Sequence, residues 1–334
     1  MGKNIITLFL LIVFCIPLSC ADDKEIIIDE LLLQSDDIIN PTSEYFAVLG
    51  DCQYHFCLSG LDGVYKTYID WIECQSNAYG NFKALLHTGD IAETNDVSQY
   101  QLFVSLTEGL ANKVPYFSAI GDHDYTWEGN NYVINDRYST YFNDYVQFPL
   151  SKSKVVAMFE EGRMENCVVE LSVQGSPLYL LFLEFGPRKE VVEWARDYVS
   201  SHTSSIFVVV NHEYLENGGE RRTKNLMCVG RLRNTSYTTP EELWKDLISC
   251  NDNIVCILCG HVDSLYAVTP DDNNANHIVP QIEFNIQTEA YRNDNWLMLW
   301  EFPADSDSAS VSIYNVKNHS FLDNKSVLTK FKYR

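Results

Sequence analysis

Short runs of apolar residues recur along the chain, and a polar cluster directly follows each of five such runs. The runs are rich in β-branched and aromatic side chains, a pattern typical of strands that are buried on both faces of a sheet. They occupy residues 45–49, 84–86, 114–120, 206–210 and 254–258. Because ligands of open α/β sheets bind beyond the carboxyl ends of the strands, we expect the five polar clusters to meet at one edge.

Helical periodicity separates several of these strands. Apolar residues recur at nearly 3.6-residue spacing through residues 64–77 and 190–199, and Thr239-Pro240 predicts the start of a helix over residues 241–249. After residue 166 the pattern changes mostly to strands. Further strands are predicted at residues 168–173, 179–184, 277–284, 296–302 and 310–314. An α/β fold with two mixed sheets flanked by helices accommodates both halves of the chain.

Composition indicates one large globular domain. The chain has 334 residues, of which 46% are hydrophobic and 21% charged, so residues 44–334 are predicted to form a single domain. The net charge of -22 argues against electrostatic binding to nucleic acid or to anionic lipid, because few cations are available to neutralise phosphates. We expect a monomer.

The first residues have the pattern of an export signal. Lys3 precedes an apolar stretch at residues 5–16, which is long enough for a signal-peptide core and too short for a membrane-spanning helix. Residues 1–20 are therefore predicted to be a signal peptide, and residues 21–43 a linker. Two cleavages stay open: lipoprotein processing with a lipid on Cys20, which is favoured, or ordinary signal peptidase cleavage. The mature protein would be a cell-envelope lipoprotein or a secreted protein.

The polar clusters are rich in residues that bind metal ions. They read Asp51-Cys52-Gln53, Gly89-Asp90, Gly121-Asp122-His123-Asp124, Asn211-His212 and Gly260-His261-Val262-Asp263. In order and spacing they resemble the motifs of the calcineurin-like metallophosphoesterases. Asn285-Ile286-Gln287, followed by an apolar strand, resembles exported single-domain members of that family. The resemblance implies a four-layer α/β/β/α sandwich that hydrolyses phosphate monoesters or diesters through the attack of a hydroxide bridging two divalent metal ions.

The resemblance also implies a role for each residue. Asp90 would bridge the two metals. The remaining ligands would be Asp51, Gln53 and Asp263 for the first metal, and Asp122, His212 and His261 for the second. His123 would protonate the departing alkoxide, and Asp124 would hold His123 in the correct tautomer.

Three of these positions depart from the family pattern. Gln53 and Asp263 stand where the family usually has His, and Asp122 stands where it usually has Asn. Oxygen ligands in place of imidazole favour Mn²⁺ or Mg²⁺, with Fe, Zn²⁺ or Ca²⁺ as alternatives.

Other readings of the sequence remain. A non-catalytic metal-binding surface protein could keep this fold, although His123 and Asp124 favour catalysis, and no Gly-x-Ser-x-Gly elbow of a serine hydrolase occurs. His55, His87 and Glu93 are predicted to be structural or supporting residues near the site. The rim that selects substrate is predicted from the long polar segments at residues 130–143, 215–239 and 269–276.

Overall fold

The computed structural model describes residues 38–129, 133–223, 231–232 and 236–334. The predicted signal peptide lies outside the described residues, as does the predicted linker as far as residue 37. The described end of that linker is a turn in which the Ser43 amide donates to the Asn40 carbonyl at 3.1 Å. No helix within the described ranges has the length and apolar character that crossing a membrane requires.

The first sheet contains seven strands in the described part of the chain. They are β1 (Glu44–Leu49), β2 (Phe82–His87), β3 (Tyr116–Ser118), β11 (Trp296–Phe302), β12 (Ser308–Asn315), β13 (Ser320–Phe321) and β14 (Thr329–Lys332). Their spatial order is β13-β12-β11-β1-β2-β3, and β14 pairs with β12. β1, β2 and β3 are parallel, whereas β11 runs antiparallel to β1.

The second sheet also has seven strands among the described residues. They are β4 (Val155–Met158), β5 (Cys167–Val173), β6 (Ser176–Leu183), β7 (Ile206–Asn211), β8 (Ile254–Cys259), β9 (Tyr266–Asp272) and β10 (Ile278–Phe284). They lie in the order β4-β5-β6-β7-β8-β10-β9. β6, β7, β8 and β10 are parallel, so their carboxyl ends share one edge.

Helices cover the outer faces of both sheets. They are α1 (Gln53–Cys57), α2 (Asp62–Tyr79), α3 (Val97–Ala111), α4 (Phe142–Val146), α5 (Pro149–Lys152), α6 (Lys189–Ser201) and α7 (Pro240–Leu243), which continues as a π-helical turn (Trp244–Ile248). α7 begins with a capping box between Thr239 and Glu242, as the Thr-Pro start signal predicts. α3 was not predicted. Its N-cap is Asp96, whose side chain accepts from the amides of Ser98 and Gln99.

Alternating side chains of the second sheet fill two separate cores. Val208 and Val210 of β7 belong to the cluster that also contains the first sheet, whereas Phe207 and Val209 pack with α6 on the other face. These layers confirm the predicted sandwich of two mixed sheets flanked by helices. Cys256 and Cys259 likewise belong to different cores, as three-residue spacing on a strand predicts, and the described cysteines form no disulfide with one another.

Two local predictions change in extent. A strand forms within residues 114–120 as predicted, but it is limited to Tyr116–Ser118, and the Gly121 amide beyond it donates to the Asp124 carboxylate instead of to a strand. The segment at residues 269–276 was expected to form part of the substrate rim. Its first residues complete β9, which pairs with β10, and the rest form the turn between them; Thr269 and Asp271 contact Gly219 and Arg221 of the predicted rim segment 215–239, and the rim role stays a prediction.

Candidate metal centre

Polar residues from five strand ends meet at the shared carboxyl edge of the sheets, as the hydrophobic pattern predicts. The ligand atoms of four of them lie within 4.8 Å of one another, and these residues are Asp90, Asp122, His212 and His261. They follow β2, β3, β7 and β8 respectively. Both sheets therefore contribute to one small cluster of carboxylates and imidazoles.

The two histidines of the cluster point ring nitrogens at its carboxylates. His212 Nδ1 lies 2.9 Å from the Thr88 carbonyl, which leaves Nε2 at 3.3 Å from Asp122 Oδ1 and 3.4 Å from Asp90 Oδ1. His261 Nδ1 lies 3.2 Å from the same Asp122 oxygen and 3.1 Å from His212 Nε2. Because Nδ1–H of His212 is donated to a carbonyl, its Nε2 lone pair is available to a metal.

An ion pair between Glu213 and Arg222 lies next to Nε2 of His261. His261 Nε2 lies 3.7 Å from Glu213 Oε1, and that same oxygen lies 2.7 Å from Arg222 Nη1. Glu213 is buried, so its carboxylate has a fixed position. A carboxylate behind a ligating imidazole orients the ring and raises its basicity, which prepares Nδ1 of His261 for a metal.

The buried oxygens of the cluster suit a cation. Oε1 of Gln53 is fully buried and accepts no hydrogen bond from a described residue, whereas the equally buried carboxylate of Asp122 lies against nitrogens of His212, His261 and Arg231. A buried acceptor without a partner is costly and a buried carboxylate needs positive charge beside it, so a divalent ion would satisfy both. The Arg231 guanidinium makes an ionic contact with Asp122 Oδ2, and its central carbon lies 5.3 Å from the centre of the Trp127 ring. The donor set of carboxylates and imidazoles therefore fits the divalent metals that the sequence predicts.

Asp90 occupies a strained position at the centre of the site. Its φ is 57°, in the left-handed region that non-glycine residues rarely adopt. Asp90 Oδ1 accepts from the His123 amide at 3.0 Å, and Oδ2 accepts from Gln53 Nε2 at 3.2 Å. Gly121 lies so close that a Cβ there would collide with the Asp90 carboxylate. Strain held in place by such contacts is typical of functional sites.

Asp51 lies beside the cluster but outside the four-residue group. It is fully buried, and its carboxylate accepts from the His261 amide at 3.0 Å and from Asn285 Nδ2 at 2.9 Å. Thr88 Oγ1 donates to its other oxygen at 3.2 Å. Asp51 therefore binds the loops after β8 and β10 in addition to facing the site.

Of the other two residues assigned to the first metal, Gln53 lies at the cluster and Asp263 does not. Gln53 begins α1 instead of continuing the strand, and its buried Oε1 is available as a ligand. Asp263 is exposed and lies outside the four-residue group. The structure thus brings Gln53 to Asp90 and leaves Asp263 on the wall of the adjoining cavity.

The Asn-x-Gln motif after β10 connects these loops. Gln287 Oε1 accepts from Gln53 Nε2 at 2.7 Å, and its Nε2 donates to the His261 carbonyl at 3.2 Å. Asn285 Oδ1 in turn accepts from the Gln287 amide at 2.7 Å. This motif was noted in the sequence, but no contact was predicted for it. Its position directly after a buried strand was the signal that could have placed it near the site.

His123 lies beside the metal cluster and packs against Trp127, with ring centres 4.5 Å apart. Its Nε2 is 3.9 Å from both Asp90 Oδ2 and Asp122 Oδ2. Burial alone would lower the pKa of His123, but the Asp90 charge and hydrogen bonds to Glu93 outweigh it and raise that pKa to about 9. The Asp90 charge and the Glu93 contacts thus favour the protonated imidazole, which is the form that can donate a proton.

The expected role of Asp124 is corrected by the structure. His123 Nδ1 contacts Glu93, at 2.8 Å from its carbonyl and 3.1 Å from its carboxylate, so Glu93 rather than Asp124 orients the imidazole. The Asp124 carboxylate faces the backbone after β2 and accepts from the amides of Asp90, Ile91, Ala92 and Gly121 and from the Tyr100 hydroxyl. Asp124 therefore holds the loop that carries Asp90.

Charges at the cluster shift its pKa values in opposite directions. Burial opposes ionisation of Asp90, yet the neighbouring His212 and His123 hold the pKa of Asp90 well below its usual range. Burial likewise opposes protonation of His212, but Asp90 and Asp51 raise the pKa of His212 to about 10. Burial lowers the pKa of His261 to about 4 and raises that of Asp51 to about 6. A site that already stabilises positive charge beside Asp90 is suited to a metal cation.

His55 and His87 are structural, as predicted. His55 Nε2 lies 2.9 Å from the Arg292 carbonyl, and His87 Nδ1 lies 3.4 Å from Ser118 Oγ. Burial lowers the pKa of His55 to about 4 and that of His87 to about 3, so both are neutral.

Two adjoining cavities open onto the site. One has a volume of about 350 Å³, is lined by Asp90, His123 and His261, and receives Arg222 and Arg231 from the predicted rim segment at residues 215–239. The other has a volume of about 440 Å³ and is lined by Tyr54, Asp263, Gln287, Thr288, Glu289, Ala290 and Arg292. Asp263 and Gln287 border both cavities, which therefore lie next to each other.

Comparison with known proteins identifies the family. The family model described as calcineurin-like phosphoesterase matches residues 45–278. The chain belongs to the calcineurin-like phosphoesterase family. This membership confirms the predicted family and fold, and the family is metal-dependent.

Individual relatives of this phosphoesterase domain are distant. The protein YvnB of Bacillus subtilis (strain 168) is 22% identical over 289 residues, which cover 83% of this chain and 20% of YvnB. The chain thus spans about a fifth of the length of this curated relative. A 5'-nucleotidase precursor from Thermus thermophilus is similar with a TM-score of 0.42 and 14% identity, over 86% of this chain and 53% of that one. A protein serine/threonine phosphatase from Saccharomyces cerevisiae, with similarity to human phosphatase PP5, aligns with a TM-score of 0.29 and 10% identity, over 82% and 78% of the two chains.

Proposed function

We propose that this protein is an exported, metal-dependent phosphoesterase that hydrolyses phosphate monoesters or diesters. The observation that carries the proposal is the combination of the four-residue ligand cluster with His123, whose Nε2 lies 3.9 Å from two of its carboxylates. A protein that only binds metal has no need of an imidazole held at this position. Family membership supports the same reaction class.

The residues of the site have separate proposed roles in binding metal. Asp90, Asp122, His212 and His261 would hold divalent metal, with Asp51, Gln53 and Asp263 as the further ligands that the resemblance implies. The bound metal supplies Lewis-acid charge and a water activated near neutral pH. Asp90 would serve two ions, because each of its oxygens has a different neighbour: Oδ1 lies 3.4 Å from His212 Nε2, and Oδ2 lies 3.2 Å from Gln53 Nε2.

His123 would protonate the leaving oxygen as the ester bond breaks. Glu93 holds Nδ1 of the imidazole, so Nε2 is directed toward the carboxylates and the substrate. Arg231 and Arg222 line the cavity that contains His123, and their guanidinium groups would orient the phosphoryl oxygens. These two cations compensate in part for the carboxylate of Asp122, which stands where the family usually has a neutral Asn.

The oxygen-rich ligand set suits Mn²⁺ or Mg²⁺ better than Zn²⁺. The export proposal rests on the apolar stretch at residues 5–16, with Cys20 as the site of a lipid or with ordinary cleavage nearby. We propose that the mature protein acts as a monomer in the cell envelope or outside the cell.

The test is hydrolysis of 4-nitrophenyl phosphate and of an alkyl phosphate by protein lacking residues 1–20. Activity is expected after addition of Mn²⁺ or Mg²⁺ to chelator-treated protein, with less activity in Zn²⁺. His123→Ala should lower kcat for the alkyl ester by roughly 10²–10⁴, and much less for the nitrophenyl ester, whose oxygen leaves without protonation. Metal binding without hydrolysis of any phosphate ester would instead support the non-catalytic alternative, and equal activity after exhaustive chelation would exclude metal catalysis.

A further inference from the structure

Arg292 is an arginine beside the candidate active site that has no acidic partner among the described residues. Its guanidinium forms no ion pair and donates no hydrogen bond to any residue in the described ranges, and the nearby Glu289 forms no ion pair with it. The chain has 46 acidic residues against 24 Lys and Arg, so an arginine of this kind stands out. A partly exposed cation in such a position is available to an external anion.

Hydrogen bonds of its backbone hold Arg292 in place. The buried His55 Nε2 contacts the Arg292 backbone carbonyl at 2.9 Å, and the Arg292 amide donates to the Thr288 carbonyl at 2.9 Å. The guanidinium carbon lies 5.5 Å from the centre of the Tyr54 ring, in a cation–π arrangement. The guanidinium and the ring therefore form one surface, which we call the Tyr54–Arg292 platform.

This platform lines the cavity of about 440 Å³ that joins the metal-centre cavity at Asp263 and Gln287. His123 lines the metal-centre cavity, and Asp263 and Gln287 line both that cavity and the one beside the platform. The leaving alcohol, which receives a proton from His123, needs space for its remaining atoms. The adjoining cavity has a suitable size for them. Its substituents would then lie beside the platform.

We propose that the Tyr54–Arg292 platform is the leaving-group subsite, and that the preferred substrates are phosphate esters whose leaving group carries a second anionic group, such as a carboxylate. This inference rests on the proposed function and adds the substrate class to it. The guanidinium would bind the second anion through its paired N–H donors, and the Tyr54 ring would pack against the carbon skeleton that connects the anion to the ester oxygen.

The experiment compares phenyl phosphate with 4-carboxyphenyl phosphate, which differ only in the distal carboxylate. The measured quantity is the ratio of kcat/KM for the carboxylated ester to kcat/KM for the plain ester, in wild type and in Arg292→Gln. We expect the ratio to fall about 10-fold in the variant, the lower end for loss of a charge-assisted hydrogen bond in a partly exposed site. Arg292→Lys should recover only part of the ratio, because an ammonium lacks the planar fork.

Arg196→Gln is the matched control. Arg196 lies on α6 with an exposed side chain and lines neither of the two cavities, and its change removes the same charge. The ratio should remain at the wild-type value in this variant. An equal fall there would show that net charge, not the platform, is responsible, and would overturn the proposal.

Direct binding separates this proposal from the proposed function. Calorimetry with 4-hydroxybenzoate and with phenol needs no turnover, and we expect 4-hydroxybenzoate to bind more tightly to wild type but not to Arg292→Gln. If neither ester is hydrolysed yet this difference is found, the phosphoesterase proposal fails and the anion subsite stands. If both esters are hydrolysed with the same ratio in wild type and Arg292→Gln, the subsite is refuted and the phosphoesterase stands.

Discussion

Replacing Asp124 by Asn tests the structural correction made at the candidate site. The wild-type carboxylate accepts five hydrogen bonds, and two of them, from the amides of Asp90 and Gly121, reach Oδ2 at 2.9 Å. An Asn side chain has the same shape but places an NH₂ group where one of the two oxygens was. Whichever way the amide is turned, at least two N–H or O–H donors then face another donor inside the protein.

The cost can be worked out from these contacts. Each buried donor left without an acceptor costs about 1–3 kcal/mol, so two of them destabilise the fold by about 2–6 kcal/mol. For roughly 300 residues the unfolding entropy is about 0.6 kcal/mol per kelvin, and the melting temperature should therefore fall by about 3–10 °C. Burial and the Asp90 charge raise the pKa of Asp124 to about 6, so the comparison should be made at pH 8, where the wild-type side chain is ionised.

The assay is thermal or urea unfolding of both proteins, combined with measurement of bound metal. Because the Asp124 contacts hold the Asp90 loop, metal affinity should fall together with stability. Glu93→Gln is the control: Glu93 is partly exposed and contacts His123, so its change should lower turnover of alkyl esters with little effect on unfolding. If Asp124→Asn melts like wild type and loses only alkyl-ester turnover, then Asp124 acts on His123 and the structural argument is refuted.

Three further changes test other parts of the site. Asp90→Asn should lower bound metal and abolish activity together, because a neutral amide is a poor bridge between cations; wild-type turnover by this variant would show that Asp90 is not the bridge. Glu213→Gln should weaken metal affinity about 10–100-fold by removing the carboxylate behind His261, as metal titration would show; unchanged affinity would contradict this support. His87→Leu should change how the free energy of unfolding depends on pH in acid. Burial lowers the pKa of folded His87 to about 3 from 6.5, so between these values the unfolded chain binds the extra proton and stability falls as pH falls, by about 1.4 kcal/mol per pH unit. The variant should lack that slope in urea unfolding from pH 6.5 to 3.5, and an unchanged slope would mean that His87 is protonated in the fold.

The sequence alone predicted the strands and the residues that follow them. Runs such as residues 206–210 are apolar on both faces and short, so they fit only strands covered on both sides, and parallel strands bring their carboxyl ends to one edge. For that reason the meeting of the polar clusters at one edge could be predicted before any distance was known, and the family resemblance then implied which of their residues would bind metal. Asp90 and His212 are far apart in the chain, but each is specified by the local pattern of the strand before it.

Contacts between different loops were decided only by the tertiary structure. Asp124 follows His123 directly, and chain proximity suggested that they interact. The positive φ of Asp90 instead turns the backbone after β2 toward the Asp124 carboxylate, which leaves His123 to Glu93. Adjacent side chains generally point in different directions, so neighbours in sequence are poor guides to partners in space.

For the same reason, the sequence did not predict the contacts of Arg231, Arg292 and Gln287. Arg292 lies in a turn whose path no periodic pattern encodes, and its place beside Tyr54, like that of Arg231 beside Asp122, depends on contacts between residues distant in the chain. Local hydrophobic patterning therefore determined which strands form and which polar residues follow them. The packing of loops from both sheets decided which side chains support those ligands and which cations face the substrate.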